Sequence, residues 1–186
     1  LSARRSKDAL PLFEHAIELK PNWPLPYRGL ASAQRALGDA AATEAAYRRG
    51  IAATHDVQLY VDLALFLDDA ARYDQALAVY EDGIARNADS LVLANNLAMA
   101  LVARSKDEAS IARAEALVKK LERSDDPAYL DTVGWVHYKA GRLAEAEEQL
   151  ARAVAKRPEA PLLRYHYAQV LADRGSVERA RGELDE

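Results

Sequence analysis

The stretch AGRLAEAEEQLARAVAKRP, residues 140–158, sets small side chains among larger ones at regular intervals. Gly141 marks a turn, Ala146 follows, Leu150 comes four residues later, Ala153 three after that, and Pro158 closes the segment. Spacings of three and four put these residues on one helical face. The same wording recurs along the chain. Anchored on the small residue, the series is Ala9, Thr43, Ala76, Ala114, Ala146 and Ala180, with steps of 34, 33, 38, 32 and 34 residues. Four positions after each anchor stands a larger apolar residue: Phe13, Tyr47, Tyr80, Val118, Leu150 and Leu184. Three further on are Ala16, Gly50, Gly83, Leu121 and Ala153, and five beyond those are Pro21, His55, Ala88, Asp126 and Pro158. A period of this size marks a repeat architecture, in which no unit buries its apolar face without its neighbours.

The first half of each unit carries its own helical stripe: Tyr27, Leu30, Ala31, Gln34; Tyr60, Leu63, Ala64, Leu67; Ala94, Leu97, Ala98, Leu101; Leu130, Val133, Gly134, His137; and Arg164, Tyr167, Ala168, Leu171. Turns separate the halves at ALGD (36–39), AARYD (70–74), KAGRL (139–143) and DRGSV (173–177). Ala, Leu, Glu, Arg and Gln dominate and favour helix, and no alternating strand pattern persists. Half of the 186 residues are apolar, enough to bury a core.

This pattern resembles the tetratricopeptide repeat family, with its helix–turn–helix unit of about 34 residues. The likeness is clearest at LDTVGWVHYKAGRLAEAEEQLARAVAKRP (130–158), strong at 74–84 and 9–21, and extends along essentially the whole chain. The resemblance implies an all-α, right-handed solenoid of about 11 helices with a concave inner surface. Two antiparallel helices approach closely where a small side chain on one faces a large one on the other. Ala146 leaves room for the facing helix, Leu150 fills the gap, Ala153 admits the next unit, and Pro158 ends one helix and starts another.

The expected helix pairs are 24–36 with 40–53, 57–70 with 74–87, 90–103 with 109–122, 127–139 with 143–156, and 161–173 with 177–185, after a lone helix at 7–19. Residues 1–186 read as a single array: a partial repeat at 1–22, repeats at 23–56, 57–89, 90–126 and 127–160, and a partial repeat at 161–186. Both ends look like cuts through a longer array, which predicts exposed apolar surface there and end-to-end association. The 90–126 repeat has four extra residues within ARSKDEASIA (103–112). A longer turn is expected, with a partner-binding protrusion as the alternative. Val118 and Leu121 in the same repeat point to locally wider packing.

Composition narrows the chemistry. The net charge is −4 with both signs interspersed, which supplies no basic stripe for nucleic acid. No apolar run approaches the roughly 18 residues of a membrane span. Cysteine is absent, so no thiolate site exists. The four histidines, at 15, 55, 137 and 166, include no pair spaced four apart and no HExxH. His137 is expected inside its unit, and His166, between Tyr165 and Tyr167, at the inner surface. The doublets Asp68-Asp69, Asp107-Glu108 and Asp125-Asp126 read as turn and cap residues. The glycines form neither GxGxxG nor a P-loop. The expectation is therefore no enzymatic activity, no cofactor and no metal.

The resemblance places the first helix of each unit on the concave face. Carried over by register, the partner-facing residues are Arg28 and Arg35 with Ser32, then Asp62 and Asp69 with Leu65. Next come Asn95, Asn96 and Met99 with Val102, and Asp131, Trp135 and Tyr138 with Thr132. Tyr165, His166 and Gln169 with Asp173 complete the face. Arginines lie at the amino-terminal end, carboxylates in the middle and aromatics toward the carboxyl end. Asn96 stands where relatives hydrogen-bond an extended peptide backbone, with tying neighbouring helices as the alternative role. Trp135 has the size and amphipathic character of an interface anchor; packing against the preceding first helix is its alternative. Asp62 occupies the place of an Asn in the family's carboxylate clamp, so recognition of an EEVD-like tail is not expected.

The resulting expectation is a non-enzymatic scaffold that binds a peptide segment or partner helix in the groove. The wording of 95–103 and 130–154 resembles bacterial cell-envelope members of the family, including scaffold subunits of exopolysaccharide export. That resemblance implies a bacterial, periplasmic setting, with the cytoplasm as alternative. Two further readings stand beside it: a targeting or regulatory appendage of an enzyme or secretion machine, and a structural array that self-associates end to end.

Overall fold

The computed structural model describes residues 3–104 and 107–185. Among them are eleven helices and no strand. They are α1 (Ala3–Leu19), α2 (Pro24–Ala36), α3 (Ala40–Thr54), α4 (Val57–Asp69), α5 (Tyr73–Arg86), α6 (Leu91–Arg104), α7 (Glu108–Val118), α8 (Pro127–Lys139), α9 (Leu143–Lys156), α10 (Pro161–Asp173) and α11 (Val177–Asp185). Two compact units form, Leu1–Leu93 and Ala94–Glu186, and α6 runs across their boundary.

Local chemistry sets the helix ends. Asp39, Asp56, Asp107 and Asp126 each accept a hydrogen bond from a backbone N–H two or three residues on, which satisfies orphan donors of α3, α4, α7 and α8. Pro24, Pro127 and Pro161 occupy the first turns of α2, α8 and α10, where a missing N–H costs nothing. Pro158 does not start a helix: α9 ends at Lys156 and α10 begins at Pro161, so Pro158 lies in the loop between them. Four interhelix turns place the same register position at positive φ, Gly38 at 78°, Ala71 at 57°, Gly141 at 77° and Gly175 at 81°. Glycine adopts that conformation freely, and Ala71 is the exception.

The alternation of small and large residues becomes packing within each unit. In the first, Tyr27, Leu30, Leu59, Tyr60, Leu63, Leu67, Ala76 and Tyr80 are buried. In the second, Leu130, Ala146, Leu150, Ala153, Leu163, Tyr167 and Leu171 share one core. A Cβ added at Gly134 would lie 2.6 Å from Leu150 Cγ and 3.2 Å from the Ala146 carbonyl oxygen. The α8–α9 hairpin of the opening stretch is therefore closed by a missing side chain on one helix and a leucine on the other. Ala76, Ala146 and Ala180 are 3%, 0% and 6% exposed.

Three expectations change. α1 begins at Ala3 rather than residue 7, and Ser6 in the added turn is fully buried. α7 ends at Val118 rather than 122. Beyond it, Leu121 N–H donates to the Val118 carbonyl at 2.8 Å and Ser124 N–H to the Leu121 carbonyl at 2.8 Å, which tightens the chain into turns. That tightening buries Leu121 completely. Leu184 is 61% exposed and fills no gap in this unit. Ser105 and Lys106, the centre of the expected protrusion, lie outside the described residues.

Candidate functional site

The face of the second unit lined by α8 and α10 carries a stacked column of rings. His166 lies on Trp135 with centroids 3.9 Å apart and planes 17° from parallel. Trp135 stacks on Tyr138 at 4.9 Å and 28°, and Tyr165 tilts toward His166 at 5.9 Å. Lys139 Nζ stands 4.8 Å from the Trp135 ring centroid and 5.6 Å from that of Tyr138. Offset stacks and a cation over an indole face each add about 0.5–1.5 kcal/mol at half-buried sites.

Two hydrogen bonds hold the column. Asp131 Oδ1 accepts from His166 Nδ1 at 2.8 Å, with both side chains buried. The Tyr138 hydroxyl donates to Asp173 Oδ2 at 2.6 Å. Burial first, and then the Asp173 carboxylate, raise the Tyr138 phenol above its usual range. Tyr165, by contrast, is 51% exposed. On α6, in the same unit, Asn95 Oδ1 is buried and accepts no hydrogen bond, while Asn96 and Met99 are half-buried.

In the first unit, the same register couples charges. Arg28 Nε donates to Asp62 Oδ2 at 2.6 Å, and Gln58 supports that carboxylate at 2.8 Å. Arg35 reaches Asp69 at 3.4 Å, both exposed. The expected arginine and carboxylate zones are therefore not free charges: they neutralise one another across consecutive first helices. In both units, the fifth residue of a first helix meets the sixth of the next, and the twelfth meets the thirteenth. Arg28–Asp62 and Arg35–Asp69 in one unit correspond to Asp131–His166 and Tyr138–Asp173 in the other.

A tetratricopeptide repeat model matches residues 134–186. A TPR repeat-containing protein of Pseudomonas aeruginosa is 36% identical over 78 residues, 41% of this chain and 13% of that protein. The Hsp70-Hsp90 organizing protein of Triticum aestivum is 47% identical over 51 residues, 27% of this chain and 9% of that protein. The chain thus spans only a small part of the length of either curated relative. The solved structure of a thermophilic TPR protein from Thermus thermophilus superposes with a TM-score of 0.63 at 26% identity, over 90% of this chain and 91% of that one. The chain has the tetratricopeptide repeat fold.

In this tetratricopeptide fold, Trp135 stacks on His166 of the following first helix α10. Val102 and Thr132, expected on the partner face, are each 2% exposed and offer no surface. Ser32 and Leu65 are exposed, and Gln169 is half-buried. His137 is buried, and the Arg142 Nη2 lies 2.5 Å from its Nδ1. Of the acidic doublets, Asp107 and Asp126 cap helices as expected. Asp69 and Asp125 instead form ion pairs, Asp125 with Arg152 at 3.0 Å and Lys156 at 3.4 Å. Lys139 was not among the residues read as partner-facing. Its spacing of four from Trp135 on one helix was the legible signal. Among the described residues, no group of three or more His, Cys, Asp or Glu could hold a metal ion, and no helix is long and apolar enough to cross a membrane.

Proposed function

We propose that this protein is a scaffold that takes a peptide segment or partner helix along the first-helix face of its second unit. The observation that carries the reading is the Trp135 column of rings on α8 and α10. The rings offer a pre-stacked, half-buried apolar surface that loses little side-chain entropy on binding. Asn96, half-buried on α6, takes the backbone of a bound chain through an amide that both donates and accepts. Asp131 and Asp173 act as positioning residues, because they hold His166 and Tyr138 in the stack. In the first unit the Arg28–Asp62 and Arg35–Asp69 pairs leave only a weak net field, and they steer a partner less than the aromatics anchor it. A relative named for organising two other proteins supports the scaffold reading.

Affinity capture and titration calorimetry with the wild-type chain and Trp135→Ala test the site. The expected outcome is about a tenfold or greater loss of affinity for captured partners. An unchanged partner set and affinity would sink the proposal. The placement in a bacterial envelope system, such as exopolysaccharide export, rests on the wording of 95–103 and 130–154. Fractionation of cells expressing the full-length gene tests it.

A second reading, end-to-end self-association, is favoured by a groove of about 290 Å³ on α10 and α11 lined by Tyr165, Ala168, Ala172, Val177, Ala180 and Leu184. Light scattering that reports a strict monomer at high concentration would remove it.

A further inference from the structure

A larger groove lies in the first unit, on the strip between the second helices α3 and α5. Its volume is about 590 Å³. The two helices run in the same direction and are tied at both ends. Arg72, just before α5, donates to Glu44 near the start of α3 at 2.5 Å, and Asn87, just after α5, donates to the His55 carbonyl at 3.2 Å. Between the ties, the helices present Ala52 and Ala78, both exposed and too small to meet. The gap they leave is floored by Ile51, Tyr60, Leu63 and Val79.

The groove is not a general property of the repeat. In the second unit the register positions of Tyr60, Leu63, Gln75 and Val79 hold Arg164, Tyr167, Arg179 and Glu183. There Arg179 donates to the Tyr167 hydroxyl at 2.6 Å and Arg164 pairs with Glu183 at 2.9 Å, so polar side chains bridge the strip. The first unit keeps Leu63 and Val79 at two of these positions, and between them the strip stays open apart from the bond of the Tyr60 hydroxyl to Asp82.

The rim carries Arg48 and Arg86, with His55 beside them, against the single carboxylate of Asp82. Asp82 is already engaged by the Tyr60 hydroxyl at 3.0 Å and by Arg86 at 3.1 Å. Burial tends to raise its carboxyl, but Tyr60 and Arg86 outweigh burial and hold it below the usual carboxylate range. Arg48 and Arg86 are each about half exposed, and their pairs with Glu44 and Asp82 lie four residues away on their own helices. Such pairs are worth only about 0.3–0.5 kcal/mol, so either guanidinium can turn to a new anion at little cost.

We propose that the α3–α5 groove is a second protein-docking site, built on second helices of the first unit, whereas the Trp135 column is built on first helices of the second unit. Its occupant is a partner segment that presents two apolar side chains flanked by carboxylates. The apolar side chains cover Ile51, Leu63 and Val79 between the two alanines, and the flanking carboxylates meet Arg48 and Arg86. With the stretch of α5 from Gln75 to Arg86 rising about 1.5 Å per residue, the groove accepts two to three turns of helix.

The test is selection of a random dodecapeptide display library on the immobilised full chain, followed by titration of the recovered peptides. They are titrated against wild type, the double substitution Ala52→Glu with Ala78→Glu, and Trp135→Ala. The expected result is a class of peptides rich in paired Leu, Ile, Phe or Met with neighbouring Asp or Glu. Their affinity falls about tenfold or more in the double variant, stays unchanged in Trp135→Ala, and weakens with added salt. Both alanines are exposed, and circular dichroism melting checks that the variant folds. If it does not, Arg48→Glu with Arg86→Glu serves in its place, and it must reverse the preference toward basic peptides. Recovery of no peptide that depends on the groove, or of groove-dependent peptides that are basic or uncharged, overturns the proposal. Loss in Trp135→Ala alone assigns the peptides to the Trp135 column and equally overturns it.

Discussion

Ala71 carries the φ that three glycines hold in equivalent turns. A left-handed conformation costs an L-residue about 1–2 kcal/mol, and glycine pays part of that back in unfolded-chain entropy. Ala71→Gly is therefore expected to stabilise the chain by up to about 1 kcal/mol in urea denaturation. Gly134 makes the opposite case. Its missing Cβ is the space that Leu150 occupies, so Gly134→Ala should destabilise by about 1–3 kcal/mol despite alanine's better helix propensity. An unfolding midpoint equal to or above wild type would contradict that. The small residues of residues 140–158 were legible from their period alone. The destination of each polar side chain was not. Asp62 and Arg28 read as separate zones of charge because a one-dimensional pattern does not show which side chains cross between stacked helices. Asn95 gave no sign that its oxygen is buried, since its neighbour Asn96 has the same side chain.

Between elements, a second ladder joins the second helices α3, α7 and α9 to the turn of the next hairpin. Glu44 meets Arg72 at 2.5 Å, Glu115 meets Arg142 at 2.6 Å, and Glu147 meets Arg174 at 2.5 Å. Glu147 also takes Arg179 at 3.0 Å. These pairs are partly exposed, so each contributes modestly and loses strength with salt. Glu147→Gln is expected to lower stability by about 0.5–1 kcal/mol at low ionic strength, with the difference shrinking in 1 M salt. A loss independent of salt would mean that Glu147 acts through packing alone. Helix pairing was readable because period and propensity agree over most of the chain. The misplaced ends, at α1 and α7, fall in turns that bury Ser6 and Leu121.

At the scale of the whole molecule, stability should depend on pH in two ranges. Burial first, and then the guanidinium of Arg142, hold the His137 imidazole below its usual value. The folded state therefore favours neutral His137, while the unfolded chain takes up a proton as pH falls below about 6.5. This contribution is fully present above that pH and is lost as pH falls toward the folded value. Melting temperature should drop between pH 7.5 and 5.5, and His137→Gln should flatten that drop. The carboxyls of Glu44, held down first by Arg72, and Asp125, held down first by Arg152, act in a lower range. Their contribution is present above the usual carboxylate value of about 4 and disappears on further acidification. A melting temperature flat from pH 7.5 to 5.5 would remove the role of His137. The sequence by itself determined that the chain is a series of helical hairpins, because a period of small and large residues leaves helices one way to interlock. Only the tertiary structure decided which charges cancel, which rings stack and where a groove stays open. Those depend on side chains from units some 34 residues apart meeting in space, and the period alone does not specify their reach or direction.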